Sequence, residues 1–295
     1  MEITARPDAA GSRLDGFLAD SLGSRSRAQR LIAADLVTVD DRPATKGQRL
    51  RGGERIVVSE PQPAPVPASE PVAPYGVVYE DEHLMVVDKP AGVVVHPARG
   101  HRTGTLAQAL GSRVAGGEEP WRAGIVHRLD RWTSGLLVVA KSEDVHRRLK
   151  DALRARAIER EYLALVEGRP PARSGTIDAP LGRDRRERTR VSIDTDLPRE
   201  ARTHFFLERA LPTSTLLRVR LETGRTHQIR AHLQAIGHPV CGDPEYGHAG
   251  RFGLDRQFLH AARLAFDHPV TGERVDVTSP LPDDLTAALE RAERP

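Results

Sequence analysis

The sequence predicts an α+β protein in two domains: a small N-terminal domain with an αα-hairpin and a larger domain built on a mixed β-sheet. Three observations carry this prediction. A stretch with six prolines, residues 60–76, separates a short segment from a long one, and this density of proline forbids a helix and favours an extended spacer. The short segment has apolar residues at helical spacing. The long segment has many strand-like apolar runs and few helices, which is typical of a mixed sheet rather than a regular strand–helix alternation.

Length and composition bound the class of protein. The chain has 295 residues, of which 39% are hydrophobic and 29% charged, which excludes global disorder. At roughly 150 residues per domain the length fits two domains, which we place at residues 1–60 and 76–295, joined by a linker at 61–75. No run of about 18 apolar residues is present, which excludes a membrane span, and the N-terminus lacks the apolar region of a secretory signal.

Cysteine content and charge add two expectations. Cys241 is the only cysteine, which excludes an internal disulfide and a multi-cysteine zinc site and favours a cytoplasmic location. The net charge is only +3, so the positions of the arginines say more about partners than the total does.

The small domain is predicted to hold two helices followed by two strands. Leu14, Phe17, Leu18 and Leu22 recur at helical spacing within residues 12–22. A second helix is predicted from about Ser26, because Ser26 and Gln29 have the spacing of a capping box. Apolar runs at 37–39 and 56–58, with a turn at 40–43, predict the strands.

Three arginines crowd the start of the second helix: Arg25, Arg27 and Arg30. A solvated helix face explains three charges by themselves. Cations at a helix N-terminus nevertheless oppose the helix dipole, so a polyanion that binds them would explain their position.

The large domain is predicted mainly from apolar runs and alternation. The expected strands lie at 77–79, 84–87, 93–95, 136–140, 162–166, 204–207 and 215–221. From residue 226 to 236 the period changes, because Ile229, Leu233 and Ile236 have helical spacing, and Gly237 stands where a helix would end.

Motifs for cofactors are missing. The sequence has no G-x-x-x-x-G-K-[ST] phosphate loop, no G-x-G-x-x-G dinucleotide fingerprint and no H-E-x-x-H zinc motif. His227 and His232 are five residues apart in the predicted helix and so point in different directions. We therefore expect no metal and no nucleotide cofactor, and chemistry carried by side chains alone.

Residues 124–135 form the segment with the most unusual composition. A carboxylate (Asp130), arginines and hydroxyl groups share one tight turn that leads into the strand at 136–140. Loops held by a rigid strand are common positions for catalytic groups. Asp130 could equally cap the turn through neighbouring amides, and composition does not choose between these interpretations.

Three further segments are candidates. His227 and Arg230 are neighbours at i, i+3 near a helix start, where anions bind well, although a solvated amphipathic helix has the same pattern. Tyr162 lies in a predicted strand, where an aromatic ring usually belongs to the core unless an unstacked base lies on it. Residues 183–190, RDRRERTR, carry five arginines against two acids and form either a solvated loop or a phosphate contact.

Two parts of the chain resemble known families. Residues 12–58 resemble the RNA-binding domain named after ribosomal protein S-four, in which the basic second helix lies against RNA. Four segments, VVDKPAGVVVHP (86–97), HRLDRWTSGLLVVAKS (127–142), EYLALVEG (161–168) and ETGRTHQIRAHLQAIGHPVCGDPEYG (222–247), resemble the RluA family of RNA pseudouridine synthases in the family's order. The N-terminal domain makes the chain most similar to the large-subunit ribosomal RNA branch, the RluD type. The residues at Cys241 and Trp132 differ from those the family usually carries.

The resemblance implies a mainly antiparallel catalytic sheet and an isomerase that converts uridine in RNA to pseudouridine. By motif, Asp130 is the essential carboxylate, which either attacks the anomeric carbon or removes a ribose proton to give a glycal. Arg230 is its basic partner. Tyr162 stacks on the uracil and is a candidate acceptor of the carbon-5 proton.

The remaining implied residues bind the substrate. Arg128 contacts or replaces the flipped nucleotide, Leu259 forms a wall of the uracil pocket, and His227 lies beside them. Phosphates are expected on two arginine clusters, consisting of Arg25, Arg27, Arg30, Arg183, Arg185 and Arg186. The expected partner is large-subunit ribosomal RNA, naked or in an assembling particle, and we expect a cytoplasmic monomer.

Two alternatives stay open from the sequence. A non-catalytic RNA-binding assembly factor would need the N-terminal arginines but not Asp130. A glycoside or nucleoside hydrolase would need a second carboxylate beside Asp130, and the motifs show no obvious candidate.

Overall fold

A computed structural model describes residues 1–23, 25–45, 47–59, 73–98, 101, 103–117, 124–187 and 189–294. They belong to two compact units, Met1–Ser69 and Glu70–Pro295. Most of the predicted linker, residues 61–75, lies outside the described residues. Within the described ranges, no helix combines the length and apolar character needed to cross a bilayer.

The N-terminal unit packs a pair of helices on a small antiparallel sheet of order β1-β4-β2-β3. Its elements are β1 (Glu2–Thr4), α1 (Leu14–Leu22), α2 (Arg25–Ala33), β2 (Val37–Val39), β3 (Arg42–Pro43) and β4 (Arg55–Val58). The apolar faces of both helices and the inner face of the sheet form one core around Leu14, Leu18, Ile32 and Ile56. The predicted helix pair and the predicted strands at 37–39 and 56–58 are confirmed. The strand β1 was not predicted because its three residues show no distinctive pattern. The strand β3 occupies the second half of the predicted turn at 40–43, where Arg42 and Pro43 pair with β2.

Asp15, in the first turn of α1, joins the two helices. Its carboxylate accepts hydrogen bonds from Arg13 Nε (2.9 Å), Arg25 Nε (3.1 Å) and Gln29 Nε2 (2.6 Å). The predicted capping box of Ser26 and Gln29 is therefore wrong, because α2 already begins at Arg25 and Gln29 binds Asp15. The ion pair with Asp15 also explains, without a bound polyanion, why an arginine stands at position 25 at the start of α2.

The C-terminal unit is built on a nine-stranded sheet of order β5-β6-β7-β14-β8-β13-β12-β9, with β15 added beside β14. Every described pairing is antiparallel except that of β7 with β14. The strands of the unit are β5 (Gly76–Glu80), β6 (Leu84–Lys89), β7 (Ser134–Ala140), β8 (Glu159–Glu167), β9 (Ser174–Asp178), β10 (Gly182–Arg183), β11 (Val191–Ser192), β12 (Arg202–Ala210), β13 (Ser214–Leu221), β14 (Leu259–Asp267) and β15 (Arg274–Thr278). The helices are α3 (Leu106–Leu110), α4 (Glu143–Arg154), α5 (Gln228–Ala235) and α6 (Asp283–Glu293). This arrangement confirms the predicted α+β class with a mixed, mainly antiparallel sheet.

The central strands are buried on both faces. Leu137 and Val139 of β7 belong to one core cluster, and Leu136 and Val138 belong to another. Alternate residues of a strand point to opposite faces, so these clusters cover the two sides of the sheet. A continuous apolar run such as 136–140 is what a strand buried on both faces requires.

The predicted strand at 93–95 is wrong. These residues are irregular and form no strand, because their carbonyl groups serve other donors. Leu106 N and Ala107 N, in the first turn of α3, bind Val94 O and Val95 O. The Lys89 ammonium binds Val93 O at 3.0 Å.

Candidate active site

The loop that carries Asp130 connects into β7, as predicted, and hydrogen bonds fix three consecutive carbonyls, those of residues 130–132. Asp130 O accepts Thr133 N (3.1 Å), and Arg131 O accepts both Gly92 N (2.8 Å) and Lys89 Nζ (3.1 Å). Trp132 O accepts Arg256 Nη1 at 3.0 Å, and Arg256 is itself held by Asp284. A side chain on such a loop keeps a defined direction.

Gly135, the second residue of β7, makes this loop possible. Its φ is +111°, and a Cβ there would lie 2.3 Å from Ala261 O of β14. Only glycine allows this backbone conformation together with so close an approach. The glycine therefore holds the end of the Asp130 loop against the strand that carries Leu259.

Among the residues that the structure describes, the Asp130 carboxylate has one ionic partner. Arg230 Nη1 of α5 lies 3.7 Å from Asp130 Oδ2, and in the described residues no backbone amide donates to this carboxylate. The interpretation of Asp130 as a turn cap is therefore wrong. The side chain is 18% exposed, so one face of the carboxylate remains open to the cavity.

Arg230 is buried and held in place by two other acids. Its Nε binds Asp243 Oδ2 at 2.6 Å, and its Nη2 binds Asp243 Oδ1 at 2.8 Å and Glu245 Oε2 at 3.0 Å. Burial by itself would lower the pKa of Arg230, but the hydrogen bonds and charge of Asp243 raise it above its usual value. Burial would likewise raise the pKa of Asp243, and Arg230 holds it below the usual range. The guanidinium therefore stays charged, and only Nη1 is left to face Asp130.

The sequence interpretation missed Asp243 and Glu245. Both stand in the GDPEYG segment, where spacing gives no sign that they meet an arginine 13 and 15 residues earlier. Neither acid lines the cavity beside Asp130. Both pair with Arg230, Glu245 also lies 3.5 Å from His227 Nδ1, and Asp243 is completely buried.

Tyr246 connects the site to the arginine-rich hairpin of β10 and β11. The guanidinium carbons of Arg230 and Arg190 lie 4.8 and 4.6 Å from its ring centroid. Its hydroxyl lies 3.1 Å from His227 Nδ1 and donates to Val191 O at 3.0 Å. Cations near an aromatic face are attracted by its negative charge density, so Tyr246 helps to fix the orientation of Arg230.

One cavity of about 680 Å³ brings the predicted site residues together. Its lining includes Arg128, Asp130, Tyr162, His227, Arg230 and Leu259. Asp130, Arg128 and His227 also line an adjoining cavity of about 270 Å³. Arg128 is exposed, and among the described residues it has no ion-pair partner.

Tyr162 is buried, with 5% of its surface exposed to solvent. Burial raises the pKa of its phenol, the charge of Arg160 lowers it, and the charge of Asp130 raises it; the net direction is upward. The phenol is therefore protonated near neutral pH.

The arginines predicted to bind RNA have different surroundings. Arg25 is half exposed and binds Asp15, and the side chains of Arg27 and Arg30 lie outside the described part of the structure. Arg185 pairs with Asp194 and Asp196. Arg183 and Arg186 are exposed, with no ion pair in the described ranges.

An aspartate–guanidinium pair, an aromatic ring and an apolar side chain therefore line one cavity. Residues 83–235 match the family model for RNA pseudouridylate synthase, and residues 12–56 match that of the S4 domain. The chain belongs to the RNA pseudouridylate synthase family, so it is an enzyme that isomerises uridine in RNA.

Relatives cover nearly the whole chain. It is 39% identical over 295 residues to the uncharacterized RNA pseudouridine synthase YlyB of Bacillus subtilis, covering 98% of this chain and 97% of the relative. It is 43% identical over 302 residues to the ribosomal large subunit pseudouridine synthase D of Nitrosomonas europaea, covering 98% and 87%. Among solved structures, human RNA pseudouridylate synthase domain containing 1 matches with a TM-score of 0.57 and 29% identity, over 72% of this chain and 86% of that one.

Proposed function

We propose that the enzyme modifies large-subunit ribosomal RNA and that Asp130 acts on the ribose of a uridine turned out of the RNA into the cavity. The observation that carries the assignment of roles is the Asp130–Arg230 contact of 3.7 Å beside Tyr162 in one cavity. A base within a helix hides its glycosidic bond, so the nucleotide must leave the stack before any side chain reaches it.

The reaction breaks the bond from ribose C1′ to N1 and forms a bond from C1′ to C5, while the proton of C5 is lost and N1 gains one. Asp130 serves this isomerisation in one of two ways: its carboxylate attacks C1′, or it takes the C2′ proton to give a glycal. Both need an ionised carboxylate with an accessible oxygen. The Arg230 guanidinium stabilises the negative charge and orients it, and the open face of Asp130 supplies the oxygen.

Tyr162 and Leu259 fit the uracil. A phenol whose pKa is raised is a poor acceptor for the C5 proton, so we assign Tyr162 to stacking on the base. Leu259 gives the base an apolar wall on the neighbouring strand.

Arg128 and His227 lie at the mouth of the same cavity. The exposed Arg128 guanidinium can contact the RNA left behind by the flipped nucleotide. Arg183 and Arg186 are the available phosphate contacts of the arginine-rich hairpin.

The ribosomal target is supported by relatives named for the large ribosomal subunit, at 39–43% identity over most of the chain. We also propose a cytoplasmic location, which a ribosomal RNA substrate supports and a single free cysteine fits. The monomeric state stays a prediction, which sedimentation of the purified protein measures directly.

The test is to map pseudouridines across ribosomal RNA, with and without the protein. New pseudouridines at defined large-subunit positions, with no release of free uracil, are expected. Modification of other RNA alone would overturn the ribosomal target, and free uracil without pseudouridine would overturn the isomerisation in favour of hydrolysis.

A further inference from the structure

Arg160 is a buried arginine in the same cavity that no part of the mechanism above uses. It lies on β8 two residues before Tyr162, so both side chains belong to the same face of the strand and both line the cavity. Arg160 is only 6% exposed. Few charged side chains are buried to this extent unless they have a partner.

The Arg160 guanidinium has almost no partner. In the described part of the chain its one hydrogen bond is a long one, from Nη2 to Leu221 O at 3.4 Å, and its buried Nε has none. No described carboxylate lies within ion-pair distance. Arg230 and Arg256, the other two buried arginines, are each paired with an aspartate at 2.6 Å.

The missing partner has an energetic meaning. A buried charge without a counter-charge is costly, because desolvation is not repaid by attraction or hydrogen bonding. Burial accordingly lowers the pKa of Arg160. An anion that enters the cavity would supply the counter-charge that Arg160 lacks among the described residues.

The surroundings of Arg160 add positive charge. Burial, together with the charges of Arg160 and Lys150, lowers the pKa of His127 to about 3, so this imidazole is neutral. The acids Glu200 and Glu222 both pair with Arg156. The described lining of the cavity as a whole has seven arginine and lysine side chains against three acids, so the cavity has an excess of positive charge.

The chain also leaves room around the guanidinium. Gly224, in the loop before α5, lies against Arg160, and a Cβ at this position would come within 2.9 Å of Arg160 Nη1. Any larger residue would displace the arginine head. The space beside it is part of the cavity that Gly224 lines.

We infer that Arg160 binds a phosphodiester group of the substrate RNA, at the target uridine or the nucleotide next to it. Residues two apart on a strand are separated by roughly 6.6 Å, so a nucleotide stacked on Tyr162 brings a backbone phosphate within reach of Arg160. Guanidinium groups bind phosphate through two parallel hydrogen bonds. The contact would offset part of the cost of flipping the base.

This inference rests on the proposed function and is tested with a stem-loop RNA that the wild-type enzyme modifies. Two versions of the RNA carry one neutral methylphosphonate, placed either 5′ or 3′ of the target uridine. At one of these positions the neutral linkage should lower kcat/KM of the wild type by about 10- to 100-fold, the range that a charged hydrogen bond contributes.

The Arg160→Gln variant should show a similar loss on unmodified RNA and no further loss with the neutral linkage. Arg147→Gln is the matched control, since Arg147 is an exposed arginine of α4 that pairs with Asp144 outside the cavity. It should respond to the neutral linkage as the wild type does. Arg160→Lys keeps the charge without the two-pronged geometry, and it should give an intermediate loss.

Equal sensitivity of the wild type and Arg160→Gln to the neutral linkage would overturn the inference, and so would no effect at either linkage. Formation of pseudouridine on unmodified RNA by the wild type supports the proposed function in both cases. If the wild type forms none, both proposals fail.

Thermal denaturation without RNA separates binding from a structural role. Arg160→Met removes an unpaired buried charge, so its melting temperature should equal or exceed that of the wild type. A melting temperature several degrees lower, together with unchanged sensitivity to the neutral linkage, would make Arg160 structural and overturn the inference.

Discussion

Asp15 in the N-terminal unit and Asp130 in the C-terminal unit are both aspartates beside arginines, and their surroundings differ in one respect. Asp15 is 3% exposed, and its carboxylate accepts bonds from two arginines, a glutamine and the amide of Gly16. Asp130 is more exposed and has one guanidinium at 3.7 Å. A carboxylate saturated with donors joins helices, whereas one with an open oxygen is available for chemistry.

The same contrast holds for the arginines. Arg230 is saturated by Asp243 and Glu245 except at the atom that faces Asp130, and Arg160 is almost unsaturated. The saturated group orients Asp130, and the unsaturated group is the one to which we assign an RNA phosphate. The partners around a buried charge therefore indicate whether it is held for another side chain or is available to a ligand.

The largest effect is expected from Asp130→Asn. The variant keeps the shape of the side chain but loses its charge, so kcat for pseudouridine formation should fall at least about 10³-fold, as for other groups that act directly on a substrate. RNA affinity should stay within a few-fold. Quantification of pseudouridine together with a binding titration checks both, and full activity would refute the role of Asp130.

Asp243→Asn should have the second largest effect. Loss of the charge that holds Arg230 lets the guanidinium shift, and a displacement of about 1 Å can cost about 100-fold in rate. The fall should be in kcat rather than KM, with partial rescue by Asp243→Glu. Asp276→Asn removes one of three acids that pair with the partly exposed Arg263 and is the control that should leave kcat within about twofold. A rise in KM with kcat unchanged would contradict the positioning role.

Asp15→Asn should change stability and leave kcat unchanged. The hydrogen bonds of Arg13 and Gln29 hold the pKa of Asp15 well below its usual value. Its stabilisation is therefore complete above the unfolded pKa of about 3.9 and is lost as the pH falls through the folded pKa.

The expected loss for Asp15→Asn at neutral pH is about 1 kcal/mol, because the arginine partners are largely exposed. Hydrogen exchange of the α1 and α2 amides measures it, and the difference from wild type should shrink in acid. A difference that grows in acid would contradict the assigned ion pairs.

Arg25→Gln should have the smallest effect on stability, a few tenths of a kcal/mol, because Asp15 keeps its bonds to Arg13 and Gln29. If Arg25 also binds a phosphate, RNA affinity should fall and the salt dependence of log K should decrease by about one. Titrations at several salt concentrations measure this slope. An unchanged slope would assign Arg25 to Asp15 alone.

Local sequence patterns predicted most of the helices and strands. They failed where backbone carbonyls accept hydrogen bonds from groups outside a β-sheet. The strand β7 was predictable because it is an uninterrupted apolar run that is buried on both faces. Residues 93–95 have equally strand-like side chains, but their carbonyls are taken by α3 and Lys89. Ser26 and Gln29 fit a capping box by spacing, and Asp15, 14 residues before Gln29, decided otherwise.

The sequence by itself determined the fold class, the helix pair and most of the strands, and it singled out Asp130, Tyr162 and Arg230 as candidates, because periodicity and motifs are properties of neighbouring residues. Only the tertiary structure decided which charges have partners. Asp243 meets Arg230, and Arg160 meets no carboxylate in the described chain, because the packing of segments distant in sequence sets the surroundings of a buried charge. The free-energy cost of burying such a charge depends on the folded cavity around it, and a local sequence pattern does not predict it.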